Sequence, residues 1–342
     1  MTNSPELEGM TIIAGVASAV AEHAASYGID IKPICEALGI DPEMLQSMTA
    51  RVSLDKICRL LEACALLSGD EAFGLKCVDA YERGASGPFG YGLIVAPTVR
   101  DLVDFLEAHV PGATSSSYFV REETEKGVVL RLTFSPLVVK RDQYVDMATT
   151  MVMARLRDIV GERAALVEIE LERPKPRNPA IFQRYLSNRL TFSSRINSVC
   201  FPHEIMGVVN PRGDQRLFTL MDMQCRSLHP SKPASQEEFV TEVRDYLHLR
   251  IAEPELSLTE TAKHFDLSER TLQRRLSEQG TSLNDIRDAI RRDMSLTLLK
   301  ESDLSIAEIC YRLGYSAPSA FSRSVTRWFG TSPRAVRNRK AR

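Results

Sequence analysis

The sequence predicts two folded parts of different class. The first is an α+β N-terminal domain, a helical cluster with a small, mainly antiparallel sheet. The second is an all-α C-terminal domain in which one short two-helix pattern occurs twice, on either side of a long helix. Three observations carry this reading. Residues 257–333 repeat themselves at offsets of 48 to 50. Between residues 118 and 201, short runs switch from the helical apolar period of about 3.6 to the strand period of about 2. The stretch from His229 to Ser235 holds Pro230 and Pro233 among small polar residues, the composition of an exposed, semi-stiff linker. The boundaries read as residues 1–228, a linker at 229–235, and residues 236–342.

In the first part, Gly9 to Ala25 has helical spacing, with Ile12, Ile13, Val16 and Val20 inward. Ile31 to Leu38 is a second helix stopped by Gly39. Asp41 and Pro42 form an N-cap followed by a first-turn proline. Ser53 is placed to cap a helix with Leu54, Ile57, Leu61 and Cys64 inward, ended by Gly69. Gly84 to Gly92 is glycine-rich but lacks the spacing and the Lys-Ser/Thr of a phosphate loop, so it reads as close backbone packing or a ligand-facing loop. Thr98 to Val110 is an amphipathic helix. Tyr118 to Arg121 and Val128 to Phe134 read as a hairpin around Glu125 to Gly127. Arg141 to Val160 is a helix with Val145, Ala148, Val152, Leu156 and Ile159 inward. Val167, Ile169 and Leu171 alternate with Glu168, Glu170 and Glu172, a half-buried strand with an acidic solvent face. Pro174, Pro176 and Pro179 mark a loop, Ile181 to Leu186 a short helix, and Ile196 to Phe201 the last strand. Asp214 caps a helix that runs to Ser227.

The second part opens with a helix from Ser235 carrying Phe239, Val243 and Leu247. The repeat follows, one copy at about 257–279 and the other at 305–329. Leu258, Ala262 and Phe265 share one helical face, as do Ile306, Cys310 and Leu313. Asp266 or Gly314 breaks the helix, and Ser268 or Ser316 is placed to cap the next one. Leu272 and Leu276, or Phe321, Val325 and Phe329, then turn inward. Gln273 and Arg274, or Ser322 and Arg323, turn outward. A short helix, a tight turn and a second helix with an exposed polar face is the form of a DNA-reading helix-turn-helix. Ile286, Ile290, Met294 and Leu298 mark the long helix between the copies, starting near Ser282, which should hold the two rigidly apart.

Net charge is −2, which says nothing about partners, but its distribution does. Residues 268–342 carry 15 Lys and Arg against 8 Asp and Glu, a net of +7, and the remainder carries −9. A basic end on an acidic body suits a nucleic-acid module joined to a different one. The seven cysteines are scattered without any C-x-x-C pair, as expected of buried reduced thiols in a cytoplasmic protein, with a redox role as the competing reading. The six histidines fall in no zinc spacing, and His109, near a helix end, reads as structural. No nucleophile elbow or dinucleotide fingerprint is present. No catalytic residue, metal or cofactor is therefore expected. No secretory signal and no apolar span of about 20 residues is found, so no membrane association is expected.

From about Glu237 to Arg337 the chain resembles the DNA-binding domain of AraC/XylS-type transcription regulators. The residues that carry the likeness are Leu267, Ser268, Leu272, Gln273 and Arg274, then Ala307 to Ile309 and Leu313 to Tyr315, then Phe321 to Arg323 and Phe329 to Pro333. Residues of roughly 20 to 210 resemble, more diffusely, the arabinose-binding type of N-terminal sensor domain, mainly through Phe192 to Phe201 and the helix from Asp214. That label does not imply arabinose as the ligand.

The resemblance implies a sequence-specific regulator of transcription that is effector-responsive and an activator, reading a double-stranded operator in two successive major grooves. Competing readings are a repressor, or an N-terminal domain that only dimerises or contacts polymerase. RNA polymerase, a small-molecule effector and a second copy of the chain are the other implied partners, and the effector-binding residues are left unassigned. Base contacts fall to Arg270, Gln273 and Arg274 in the first unit, beside the cap Ser268, and to Ser319, Ser322 and Arg323 in the second. The competing role for Arg274 and Arg323 is to hold phosphates or internal carboxylates. Arg334 and Arg337 belong to a basic end suited to backbone phosphates. Pro318, in the first turn of the second reading helix, cannot donate a hydrogen bond.

Overall fold

The computed structural model describes residues 9–227, 235–253 and 256–338. The linker expected at 229–235 lies outside them except for Ser235, and so does the basic end beyond residue 338. The chain divides into two compact units, Met1–Thr133 with Lys140–Pro230, and Phe134–Val139 with Ser231–Arg342. The first is mixed helix and sheet and the second is helical.

The first unit opens differently from the helix its spacing suggested. Thr11–Ile13 is a strand, β1, followed by a 3-10 turn and a helix α1 only at Ala19–Ala25. β1 pairs antiparallel with β2, Arg51–Ser53, with Ile12 opposite Val52, and Arg51 bonds the Thr11 hydroxyl at 2.8 Å. A short run of β-branched residues satisfies either period, and a distant partner decides. Next come α2, Lys32–Leu38, and α3, Leu54–Ser68, ended by Gly39 at φ 64° and Gly69 at φ 66°. Asp41 caps as expected, accepting from the Glu43 amide, but the turn it opens, Pro42–Gln46, is 3-10. Helix α4 is Phe73–Lys76.

The glycine-rich stretch is mostly helical, giving α5 at Gly87–Val95. Its glycines permit close contact: a Cβ on Gly92 would stand 2.1 Å from the Phe105 ring. That ring belongs to α6, Val99–Ala113, which Thr98 caps by accepting from the Asp101 amide.

The main sheet has the order β3-β4-β7-β5-β6. Its strands are β3 (Ser117–Glu123), β4 (Gly127–Phe134), β5 (Glu168–Glu170), β6 (Arg189–Thr191) and β7 (Asn197–Pro202). β7 pairs antiparallel with both β4 and β5, while the short edge strand β6 runs parallel to β5. The last pair had no sequence signal, because β6 is three residues long and exposed at both ends. Helix α7, Asp142–Val160, follows the hairpin, and α8, Pro179–Tyr185, starts two residues earlier than expected because Pro179 serves as its first-turn proline. Helices α9, His203–Met206, and α10, Gln215–Ser227, close the unit. Asp214 caps α10, accepting from the Arg216 and Leu217 amides. His109, buried in α6, meets Asp222 of α10 at 2.8 Å, which gives that histidine its structural role.

In the second unit, α11, Gln236–Arg250, begins at a capping box of Ser235 and Glu238. Then come α12 (Leu258–His264), α13 (Glu269–Glu278), the long α14 (Leu283–Glu301), α15 (Ile306–Arg312), α16 (Pro318–Phe329) and α17 (Pro333–Asn338). Ile286, Ile290, Met294 and Leu298 of α14 are all buried, so the four-residue spacing marks the face it packs with.

Candidate nucleic-acid interface and ligand cavity

The helix pairs α12–α13 and α15–α16 share the cap bond of their first helix and the backbone bond across their turn. Ser257 and Ser305 each accept from the amide three residues on, both at 3.1 Å. Past the turn, the Leu267 amide reaches the Ala262 carbonyl at 2.9 Å, and the Tyr315 amide reaches the Cys310 carbonyl at 3.1 Å. Asp266 and Gly314 hold the left-handed backbone between them, at φ 53° and φ 72°. Leu272 and Leu276 in one pair, and Phe321 and Val325 in the other, are buried.

The two turns are held by different means. A Cβ on Gly314 would lie 2.5 Å from the Ile251 carbonyl oxygen, so this turn requires glycine for space as well as for φ. Arg291 of α14 donates to the Leu313 and Gly314 carbonyls at 2.9 and 3.2 Å, with its guanidinium over the Tyr315 ring. The first turn leans on an aromatic cluster instead. His264 stacks on Tyr246 at 4.0 Å between ring centres, and Phe265 meets both Tyr246 and Phe239 edge-on. Burial holds the His264 imidazole below its usual range, and burial beside Arg244 brings His248 down to about 4.

The expected caps of the second helices also differ. Ser268 accepts from the Thr271 amide at 3.2 Å. Ser316, expected in the same role, does not cap. The N-cap of α16 is Ala317, without a side-chain bond, and Pro318 takes the first helical position. The repeat offset is 49 in this half, so Ala317, not Ser316, is the counterpart of Ser268. The missing first-turn donor of Pro318 is one that no helical carbonyl would have accepted.

Of the residues expected to meet DNA, Ser268, Arg270, Gln273 and Arg274 are exposed on or beside α13, and Ser319 and Arg323 are exposed on α16, with Ser322 half-buried. Arg270 and Arg323 have no ion-pair or hydrogen-bond partner among the described residues. Arg274 meets Glu278, one turn along the same helix, at 3.3 Å. Such an exposed pair contributes roughly 0.3–0.5 kcal/mol and yields readily to a stronger acceptor. Arg334 is exposed. Arg337 is engaged inside the unit, donating to the Leu299 and Leu304 carbonyls at 3.3 and 2.6 Å. Lone arginines displayed on one face are suited to guanine edges and phosphates.

The first unit contains a cavity of about 110 Å³. Its walls are the sheet, through Leu130, Leu132 and Phe201, and helices α5, α6 and α7, through Leu93, Leu106 and Val152. Sequence spacing placed Ala148 and Val152 in the core; both are half-buried because they face this space. No sequence pattern distinguishes a residue packed on a wall from one packed on a void. Gly84 and Gly90 lie on the lining, so the glycine-rich stretch is both a close-packed element and part of the cavity wall. All seven cysteines are free thiols, six of them buried, and burial raises their pKa values, which disfavours the thiolate form. Among the described residues no group of three His, Cys, Asp or Glu is arranged to hold a metal ion, and no helix is long and apolar enough to cross a membrane.

Residues 28–208 match the family model of the N-terminal arabinose-binding domain of AraC transcription regulators, and residues 261–339 match a helix-turn-helix domain model. The chain is similar to the ornithine utilization regulator of Pseudomonas aeruginosa, 25% identical over 326 residues that cover 93% of each protein. It is similar also to the HTH-type transcriptional regulator VirS of Mycobacterium tuberculosis, 26% identical over 91% of each. Alignment with the crystal structure of the transcriptional regulator CdpR from Pseudomonas aeruginosa covers 92% of this chain and 96% of that one, at 17% identity and a TM-score of 0.37. With more than half its length matched by the arabinose-binding-type model and its C-terminal part by the helix-turn-helix model, the chain belongs to the AraC family of DNA-binding transcription regulators.

Proposed function

We propose that α12–α13 and α15–α16 are two helix-turn-helix units that enter successive major grooves of one operator, with α13 and α16 as the reading helices. The observation that carries this reading is the shared backbone bonding of the two pairs together with exposed Arg270 and Arg323, unpartnered among the described residues, on their second helices. Arg270, Gln273 and Arg274 read bases from the first unit; Arg323, aided by Ser319 and Ser322, does so from the second. Ser268 and Arg334 lie at positions suited to phosphates. Arg337, bonded to two carbonyls, would act by fixing the end of α14.

The N-terminal domain, residues 1–228, acts in this reading as a sensor whose cavity takes a small molecule and shifts the protein toward activation. RNA polymerase is then the downstream partner. Leu217, Leu220 and Met223, exposed at three-residue spacing on α10, favour self-association through this domain. The experiment that tests the DNA reading is selection of binding sites from random duplexes, followed by affinity measurement with Arg274→Ala. Loss of specific affinity with non-specific affinity retained supports base readout; an unchanged ratio of the two contradicts it.

A further inference from the structure

The cavity wall is mostly apolar; Tyr81, Ser86 and Arg155 lie on it, and Thr114, Ser117, Tyr144, Thr149, Asn197 and Ser198 line it also, but Arg155 is its one charged side chain among the described residues. The Tyr81 and Ser86 hydroxyls are 2.8 Å apart. Arg155 is nearly buried, its side chain 11% exposed, and its partner among the described residues is Asp158, at 3.1 Å. That bond uses one of the five N–H donors of a guanidinium. Asp158 does not belong to Arg155 alone. Arg83 approaches the same carboxylate oxygen at 3.4 Å and Arg212 at 3.5 Å, both from the exposed side. One carboxylate shared among three guanidinium groups leaves this end of the cavity positive.

A nearly buried cation with spare donors, two bonded hydroxyls and a mostly apolar wall describe a complementary molecule. We propose that the cavity binds a small apolar monocarboxylate, with its carboxylate on Arg155, Tyr81 and Ser86 and its hydrocarbon body against Leu106, Leu130 and Val152. A guanidinium meets a carboxylate with parallel, charge-assisted hydrogen bonds, which a neutral hydroxyl cannot reproduce. The size follows from the volume. An apolar protein cavity of about 150 Å³ accommodates benzene, so about 110 Å³ suits a ligand smaller than benzene, a short-chain acid. This inference rests on the sensing reading and adds the chemical class of the ligand.

The test uses the full chain and titration calorimetry with propionate, butyrate, the matched neutral 1-propanol and 1-butanol, and the cation butylamine. The carboxylates are expected to bind on the order of tenfold more tightly than the alcohols, and butylamine more weakly than either. Arg155→Gln removes that preference, while Asp158 keeps Arg83 and Arg212 as partners, so the local fold has support. Ala148→Leu, filling the cavity, weakens acids and alcohols together. Alcohols binding as tightly as acids, or a preference unchanged in Arg155→Gln, overturns the carboxylate assignment and leaves the sensing reading standing. Absence of saturable binding by every compound overturns the cavity as a ligand site.

Discussion

The two helix pairs of the C-terminal unit share a backbone and differ in what holds it. The first turn tolerates Asp266 at a left-handed φ and is supported by Tyr246, His264 and Phe265. The second admits only glycine and is clamped by Arg291 from the long helix. Their outward faces differ in the same sense. α13 presents Arg270, Gln273 and Arg274, three long side chains able to bond base edges; α16 presents Ser319, Ser322 and Arg323, only one of them long. The first pair is thus braced by aromatic packing and displays three long polar side chains, whereas the second is clamped by Arg291 and displays one.

The largest expected effect is structural and confined to the second pair. Gly314→Ala places a Cβ against the Ile251 carbonyl at a φ that already costs an L-residue about 1–2 kcal/mol, so a destabilisation of about 3 kcal/mol is expected. The single tryptophan, Trp328, donates to Asp288 at 2.9 Å within this region and reports it directly in urea unfolding by fluorescence. Asp266→Gly, the matching change in the first pair, should stay within about 1 kcal/mol of the parent. Equal losses in the two would erase the distinction between the turns.

Readout comes second in size. Removing a bidentate base contact costs about 1–3 kcal/mol of discrimination. Arg274→Ala should relax specificity under the first pair, and Arg323→Ala under the second. Operator substitutions under the first pair should cost more in total, since three side chains share that half. Competition binding against single-base operator variants measures both.

Acid should weaken the first pair selectively. His248 on α11 is neutral in the fold, lowered to about 4 from 6.5 by burial and Arg244, and His264 is lowered also. A depressed histidine contributes stability that is present above pH 6.5 and is lost as pH falls through the folded value, so the window runs from 6.5 down to about 4. The second pair contains no histidine between residues 305 and 329. Hydrogen exchange over that pH range should open α12 and α13 before α15 and α16. Simultaneous opening would mean that the aromatic cluster is not what supports the first turn.

The smallest effect concerns the caps. Ser268→Ala should cost about 1 kcal/mol, whereas Ala317→Ser should add a few tenths to about 1 kcal/mol by giving α16 the cap it lacks. Thermal unfolding resolves the pair of opposite signs, and a loss in both would show that Pro318 already fixes the start of α16.

The legible parts of this molecule were those governed by local chemistry. Gly39, Gly69, Asp214 and Ser268 end or cap helices where their types and spacing indicate. The illegible parts depend on distant partners. Thr11–Ile13 became a strand because Arg51–Ser53 lies beside it. Ser316 lost the cap to Ala317 because the repeat offset shifts by one within the turn. The cavity had no signature beyond the glycine-rich stretch on its wall, since Ala148 and Val152 follow the same helical spacing as packed residues such as Val145 and Leu156. The exposed faces of α13 and α16 were legible because exposure on an amphipathic helix follows from the buried stripe opposite.

The central claim is that both pairs read one operator and that the first dominates. Methylation interference at guanine N7, on sites selected from random duplexes, tests it most directly. The parent protein should show two clusters of sensitive guanines about 10 base pairs apart, on one face of the duplex. Arg274→Ala should erase the cluster under the first pair and leave the other. A single cluster in the parent, or two clusters untouched by Arg274→Ala and Arg323→Ala alike, would contradict the account.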